Sequence, residues 1–251
     1  MSAGWFGQAN FNAVVVGNGA IGSALAQTLL QHPNLGKLLI LQRSNTALLN
    51  DPRVSVLPFD AENPESIAAA AQLIGESAER VHVLLNTVGM LHSAEQFQQQ
   101  PEKRLADVEL ASLQRSMLIN AMLLPMLAKA FGRLLRHKEP AVLASLSARV
   151  GSIEDNSMGG WYSYRASKAA HNMLLRTIAN EWRLSHRNAA IFALHPGTVQ
   201  SKLSEPFVSP NYKHTVHTPE QCAQNLLNVL ANLTLESSGG FYDWQGKAIP
   251  W

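Results

Sequence analysis

The sequence predicts a single α/β domain across residues 1–251, built as a doubly wound parallel sheet of about seven strands with helices on both faces. Three observations lead there. Short aliphatic and β-branched runs alternate with longer stretches of helical period, the pattern of successive βαβ units. A glycine-rich turn follows the first apolar run at once. No repeat, low-complexity tract or linker-like stretch divides the chain.

Strand candidates, in order, are 13–16, 37–41, 54–57, 81–85, 141–146, 190–194 and a last one near 240–242. Helices fill the gaps. In the first gap Ile21, Leu25, Leu29 and Leu30 form one apolar stripe, and after Asn63 and Pro64 the set Ile67, Ala71 and Ile74 repeats it. Residues 110–136 are long enough for several helical turns, with Leu118, Met122 and Leu127 as core candidates. Pro125 has no N–H, so the carbonyl of Ala121 should lose its partner and the helix should bend there. Two stretches read as irregular. Residues 90–104 are polar and rich in glutamine (Gln96, Gln98, Gln99, Gln100), as a surface loop would be. Residues 203–218 carry Pro206 and Pro210 with the aromatic Phe207 and Tyr212, and segments of that kind often cover a site.

Composition excludes several function classes. With 46% hydrophobic and 15% charged residues the chain can bury a core, which rules out a disordered protein. Lys+Arg 20 against Asp+Glu 18 leaves +2, too little for an electrostatic nucleic-acid binder. Cys222 is the only cysteine, so there is no internal disulfide and no Cys-based zinc or iron–sulfur site, and no metal is expected. Its flanks, Glu220, Gln221, Ala223 and Leu226, read as a helix in which a lone thiol is inert packing. Residues 1–12 show no secretory signal, and the most apolar stretch, 117–128, is interrupted by Asn120 and Pro125 and is too short to cross a bilayer. A reducing, cytoplasmic setting without a membrane partner is the expectation.

The first chemical signal is Gly17-Asn18-Gly19-Ala20-Ile21-Gly22, between an apolar strand and a helix. Glycine lets the chain turn sharply and lets backbone amides approach a pyrophosphate, while the helix N-terminus adds partial positive charge. A bare G-x-G-x-x-G is also found in tight turns without a ligand; its placement here favours a dinucleotide. The end of the second strand then tests which one. NAD sites place a carboxylate there for the ribose 2′-hydroxyl, but this chain reads Leu41-Gln42-Arg43-Ser44. Arg43 with Ser44 suits a 2′-phosphate, so NADP(H) is favoured and NAD(H) stays open. Asp60, beyond the third strand, is either an adenine contact or the cap of the following turn.

The second signal is Tyr164 and Lys168, one helical turn apart and therefore on one face. A phenol near pKa 10 is a poor base, and a neighbouring ammonium stabilises its anion.

Together these residues resemble the short-chain dehydrogenases/reductases, over nearly the whole chain. Asn86-Thr87-Val88-Gly89 looks like the family's N-N-A-G, Asn120 stands where its helical Asn stands, and Tyr164 with Lys168 matches its catalytic pair. Pro196-Gly197-Thr198-Val199-Gln200-Ser201 is similar to its P-G-x-x-x-T turn. Within the family, the stretch from Ser147 to Ile153, Gly159 to Lys168 and His195-Pro196-Gly197-Thr198 resembles the C-factor-like subgroup, named for a cell-to-cell signalling protein. The resemblance implies a Rossmann fold. It also implies cofactor contacts at Gly17, Asn18, Gly19, Ile21, Gly22, Arg43, Ser44, Asp60, Asn86, Gly89, Tyr164, Lys168, Pro196, Gly197 and Thr198.

The implied reaction is hydride transfer between nicotinamide and a carbonyl or alcohol carbon. Tyr164 would be the general acid or base, Lys168 would lower its pKa and hold the nicotinamide ribose, Ser147 would hold the substrate oxygen, and Asn120 would support a water path. Two departures stand out. The glycine turn is one residue shorter than the family's, with Ala20 at its middle glycine, and the place of the usual serine, three residues before Gly151, is Ala148. Ser147 precedes it by one residue, which on a strand reverses the face. Either the strand end is irregular and Ser147 serves, or the hydroxyl comes from elsewhere or is missing; Ser145 also remains a candidate.

Other residues carry a plain reading beside a functional one. Arg149 and Asp155 could shape the substrate mouth or form an ion pair. His195 reads best as a satisfied structural histidine, and Arg133, Arg136, His137 and Lys138 as a basic helix end complementing the dipole. Trp161, Tyr162 and Phe207 could line an apolar pocket or an interface, and Met173, Leu174 and Ile178 could join copies in a homodimer or homotetramer. Two functions follow: an NADP(H)-dependent carbonyl reductase or alcohol dehydrogenase acting on a small or medium apolar carbonyl compound, or a dinucleotide-binding regulatory or signalling protein with little or no turnover.

Overall fold

The computed structural model describes residues 4–44, 49–93, 99–209 and 211–251. In chain order the elements are β1 (Phe11–Val16), α1 (Ala20–Leu30), β2 (Leu35–Gln42), β3 (Val54–Pro58), α2 (Pro64–Ala78) and β4 (Val83–Asn86). Then come α3 (Leu110–Met117), α4 (Leu123–Leu135), β5 (Ala141–Leu146), α5 (Tyr162–Ser185) and β6 (Ala189–His195). The chain finishes with β7 (Thr198–Val199), β8 (Val216–His217), α6 (Pro219–Asn232) and β9 (Phe241–Asp243). Seven strands form the main sheet in the order β3-β2-β1-β4-β5-β6-β9, every pair parallel. The predicted doubly wound α/β fold is what forms.

Helices on both faces explain why the central strands are apolar on both sides. Along β1, Val14 and Val16 face α2, α4 and α5, where they join Ile74, Leu127, Phe131 and Leu175. Ala13 and Val15 face α1 and α6, where Leu25, Leu29, Leu226 and Leu230 cover them. Trp5 closes that second layer, its indole N–H donating to the Leu230 carbonyl at 2.9 Å. Cys222 is packed there too, as its flanks predicted. Asn63 caps α2 by accepting the N–H groups of Glu65 and Ser66, with Pro64 at the first turn.

The structure departs from expectation in four places. Between α3 and α4 the backbone forms a π-helical turn, Leu118–Met122, so the irregularity foreseen at Pro125 is a widened turn just before it, and it carries Asn120. Met122, expected in the core, is 51% exposed because that turn rotates the stripe. From Leu110 to Leu135 the chain is thus one helical run of 26 residues, long and apolar enough by length and composition to cross a membrane, whereas the apolar stretch had looked too short. Most of it is packed inside the protein, where Leu123, Leu124, Leu127, Phe131 and Leu135 are buried. Finally, residues 90–104 are not simply a surface loop: Ser93 bridges to Gln99, and Gln99 and Glu102 are buried. Gln96 and Gln98 lie outside the described residues, as does Pro210.

Phe131 is fully buried between α4 and the sheet. Phe131→Ala is expected to lower unfolding stability by about 3–5 kcal/mol, read as a fall in the urea midpoint at unchanged slope.

Candidate active site

The residues singled out from the sequence gather along the edge where β1, β4, β5 and β6 end, the edge at which ligands enter open parallel sheets. The glycine turn is built for close approach. Gly17 has φ +95°, and a side chain there would meet Thr87 Oγ1 at 2.9 Å. At Gly22 a Cβ would fall 2.1 Å from the Gly17 carbonyl oxygen, so only glycine lets α1 start this near the turn. Thr87 clamps the arrangement by donating to the Val16 carbonyl at 2.8 Å. Gly19 faces open space, and α1 begins there with no side-chain cap and no acidic residue in its first turn. These are bare donors and an unopposed dipole, a cradle that fits a pyrophosphate. Asn18 and Gly19 are exposed and Ile21 half-buried beside it.

Farther out, Arg43 and Ser44 are exposed at the end of β2, and Arg43 has no ion pair among the described residues. Gln42 is buried there and donates to the Ser44 carbonyl at 2.7 Å. Asp60 is exposed and supports the turn beyond β3: its Oδ1 accepts the Glu62 N–H at 2.9 Å, and its own N–H donates to Ser66. Asn86 is buried and donates to Ser145 Oγ at 2.9 Å while accepting the Val88 N–H. On the far side, Gly197 (φ +76°) presses against Trp244 and His217 behind Pro196. Thr198 shares a 2.7 Å hydrogen bond with the Tyr212 hydroxyl. The short parallel pair β7–β8 closes the base of the 203–218 segment, an element without a sequence signal because each strand is two residues long.

Tyr164, Lys168, Asn120 and Gly89 come together. A Cβ on Gly89 would lie 3.6 Å from both Asn120 Oδ1 and Lys168 Nζ, and the Lys168 ammonium is 5.9 Å from the centre of the Tyr164 ring. The π-turn orients Asn120, which accepts the Met90 N–H at 2.7 Å and donates to the Met90 carbonyl and to Ser167 Oγ. Lys168 donates to the Leu146 carbonyl at 2.9 Å. Burial pushes the Tyr164 phenol up to about 12 and the Lys168 ammonium down to about 8. In this arrangement desolvation dominates at the phenol, and the ammonium is directed to Leu146.

Ser147 is not turned toward this group. It is 3% exposed, and its hydroxyl donates to Asn172 Oδ1 at 2.7 Å, beneath α5. Ala148 keeps an extended backbone and is half-exposed, so the strand alternation continues and the one-residue shift does reverse the face. Ser145 is equally committed, accepting from Asn86 and donating to His171 Nε2 at 2.8 Å. His171 and Asn172, which no sequence signal marked, anchor this buried chain, and Asn172 also donates to the Gly151 carbonyl. At Gly151 a Cβ would sit 2.7 Å from Lys168 Cβ, which is why the turn after β5 can lie flat on α5.

Around the opening, Trp161 stands 6.2 Å from the Tyr164 ring and 5.1 Å from Phe207, and His92 stands 5.9 Å from Phe207. The His92 Nε2–H donates to the carbonyls of Lys202 and Leu203, joining the two irregular segments. Arg149 makes the foreseen ion pair with Asp155 at 3.8 Å and a shorter one with Asp243 at 3.3 Å. His195 differs from expectation: its Nδ1 is buried with no partner among the described residues, and burial beside Arg149 holds it down at about 4. At the opposite sheet edge, His82, His137 and Glu139 offer ligand-type atoms within 4.8 Å of one another. His82 Nδ1 accepts the Asn12 N–H, so its Nε2 keeps the proton donated to Glu139 and has no lone pair for an ion.

Burial and the nearby Lys168 hold His171 down at about 3, against an ordinary value of 6.5. The unfolded chain therefore binds more protons than the folded one below about 6.5, and stability present above that pH is lost as the pH falls toward 3. The urea midpoint should drop between pH 7 and pH 5, and the drop should be shallower in His171→Gln.

A family profile described as short chain dehydrogenase matches residues 12–211. A 1-hydroxy-2-glutathionyl-2-methyl-3-butene dehydrogenase of Rhodococcus sp. (strain AD45) is 31% identical over 76% of this chain and 78% of its own. C-signal of Myxococcus xanthus is 34% identical over 59% of this chain and 83% of its own. Among solved structures, an NADPH-bound carbonyl reductase from chicken fatty liver superimposes with TM-score 0.84 at 25% identity, covering 97% of this chain and all of that one. The chain belongs to the short-chain dehydrogenase family, among its C-factor-like members.

Proposed function

We propose that this protein is an NADP(H)-dependent carbonyl reductase acting on a small, apolar carbonyl compound. The observation that carries the reading is the meeting of Tyr164, Lys168, Asn120 and Gly89 at the sheet edge beside a glycine turn shaped for a pyrophosphate. NADP(H) over NAD(H) rests on the exposed Arg43 and on the NADPH named for the chicken relative. The glycine turn, Arg43, Ser44, Gly89, Lys168 and the 196–198 turn would hold the dinucleotide, which supplies the hydride when bound. Asp60 and Asn86 belong to that site mainly as supports of its turns.

The protein's own part is to hold a proton and exclude water. A phenol at about 12 is fully protonated across the neutral range, so Tyr164 is set to donate to a developing alkoxide, which favours reduction. In the other direction it must first lose that proton, so oxidation should need alkaline pH. Lys168, 5.9 Å from the Tyr164 ring and bonded to the Leu146 carbonyl, would turn from that carbonyl to stabilise the phenoxide left behind. Asn120, held by Met90 and Ser167, keeps the π-turn in place beside them. Trp161 and Phe207 give the mouth an aromatic wall suited to flat or apolar substrates. The substrate oxygen loses the serine assigned to it, since Ser147 is bonded to Asn172.

That loss favours a second reading, a dinucleotide-binding regulatory protein with slow turnover, and the similarity to C-signal supports it. Titration with NADPH and NADH, followed by coenzyme oxidation over a panel of aldehydes, ketones and quinones, separates the two. Turnover that disappears in Tyr164→Phe by at least about a hundredfold supports the reductase, and wild-type turnover matched by that variant refutes it. Arg43→Ala should weaken NADPH binding by roughly tenfold and leave NADH unchanged, measured by quenching of tryptophan fluorescence. Ala148→Ser puts a hydroxyl on the half-exposed face and should raise kcat by about tenfold, while Ser147→Ala changes it little.

A further inference from the structure

Helix α5 starts without a cap of its own. Gly159, Gly160 and Trp161 precede it in three successive left-handed conformations, at φ +67°, +68° and +52°, and Trp161 contributes no side-chain cap. A non-glycine residue held there is strained and persists only when its surroundings impose it. Glu102, which is 4% exposed, lies against this turn. Its backbone carbonyl accepts the Trp161 N–H at 2.5 Å, its Oε2 accepts the Ser163 N–H at 3.2 Å, and its Oε1 accepts the Ser163 hydroxyl. A carboxylate thus lies against the positive end of the helix, next to the turn that carries Tyr164.

Three residues earlier in the same strap, Gln99 is equally buried and donates to Ser116 Oγ at 2.9 Å and to the Ser112 carbonyl, both on α3. Ser93 donates its N–H to the Gln99 carbonyl at 3.0 Å. Helix α3 runs into the π-turn that carries Asn120, and α5 carries Tyr164. One short segment therefore grips both helices from outside, with one buried polar side chain for each.

We propose that Glu102 is a positioning residue: it caps α5 from across the fold and sets the place of the Tyr164 hydroxyl relative to Asn120. This deepens the reductase reading and rests on it for its kinetic part. The two are tested separately. Glu102→Ala and Glu102→Gln are compared with wild type in kcat and KM for an accepted ketone, in NADPH affinity, and in amide hydrogen exchange over residues 159–168. Glu102→Ala should lower kcat on the order of tenfold to a hundredfold, with NADPH affinity within about twofold and exchange accelerated at residues 161–164. Glu102→Gln, which keeps an acceptor for the Ser163 N–H, should restore most of kcat and most of the protection.

An unchanged kcat and unchanged exchange in Glu102→Ala overturns the proposal, as does a Gln variant no better than Ala. If wild type turns over nothing on the panel, the reductase reading fails and the exchange alone decides: faster exchange confined to 161–164 upholds the cap, and unchanged exchange removes it. Should Glu102→Ala not fold, Ser163→Ala, which removes only the hydroxyl's bond, must show the same pattern at smaller amplitude or the proposal falls.

Discussion

The contact between α5 and the end of β5 governs the rest of the site. Gly151 removes the side chain that would separate them, so the turn after β5 lies directly on the Lys168 backbone. Across that contact Lys168 reaches the Leu146 carbonyl, Asn172 holds Ser147 and the Gly151 carbonyl, and His171 holds Ser145. Each buried donor in that chain has an acceptor, which is what lets polar groups occupy a dry layer without destabilising it. The same dryness keeps His171 neutral, raises the Tyr164 phenol and lowers the Lys168 ammonium.

From this follows an asymmetry in the proposed chemistry. A protonated phenol beside a cation is a ready donor, while a phenoxide in the same place needs the cation to turn toward it. Lys168 has a carbonyl partner inside the protein, so that turning exchanges one hydrogen bond for another interaction rather than creating one from nothing. The polar support lies behind the pair and the aromatic groups lie around the mouth. Trp161, Phe207 and His92 come from three separate segments, and the strap through Gln99 and Glu102 fixes two helices against each other.

Much of this was legible in order along the chain. Strand positions followed from apolar runs because both faces of a parallel sheet are covered, and the glycine turn followed from spacing because backbone approach admits no substitute for glycine. Tyr164 and Lys168 were legible because a helical turn brings residues four apart to one face. The roles of Ser147, Gln99 and Glu102 were not. Ser147 differs from its neighbour Ala148 only in the face it presents, and that depends on whether the strand stays regular past Leu146. Gln99 and Glu102 sit in a polar stretch that reads as solvent-exposed, and nothing local indicates that partners on α3 and α5 will bury them.

Local periodicity and residue chemistry by themselves determined the α/β alternation, the dinucleotide turn, the tyrosine–lysine pair and the absence of a carboxylate after β2, since each is encoded within a few neighbouring positions. Tertiary structure alone decided which hydroxyls are sequestered, how the phenol and ammonium titrate, where the π-turn falls and which buried glutamate caps α5. Those outcomes depend on desolvation and on hydrogen bonds between segments dozens of residues apart, such as the 61 that separate Glu102 from Ser163, and only the packed chain brings them within reach.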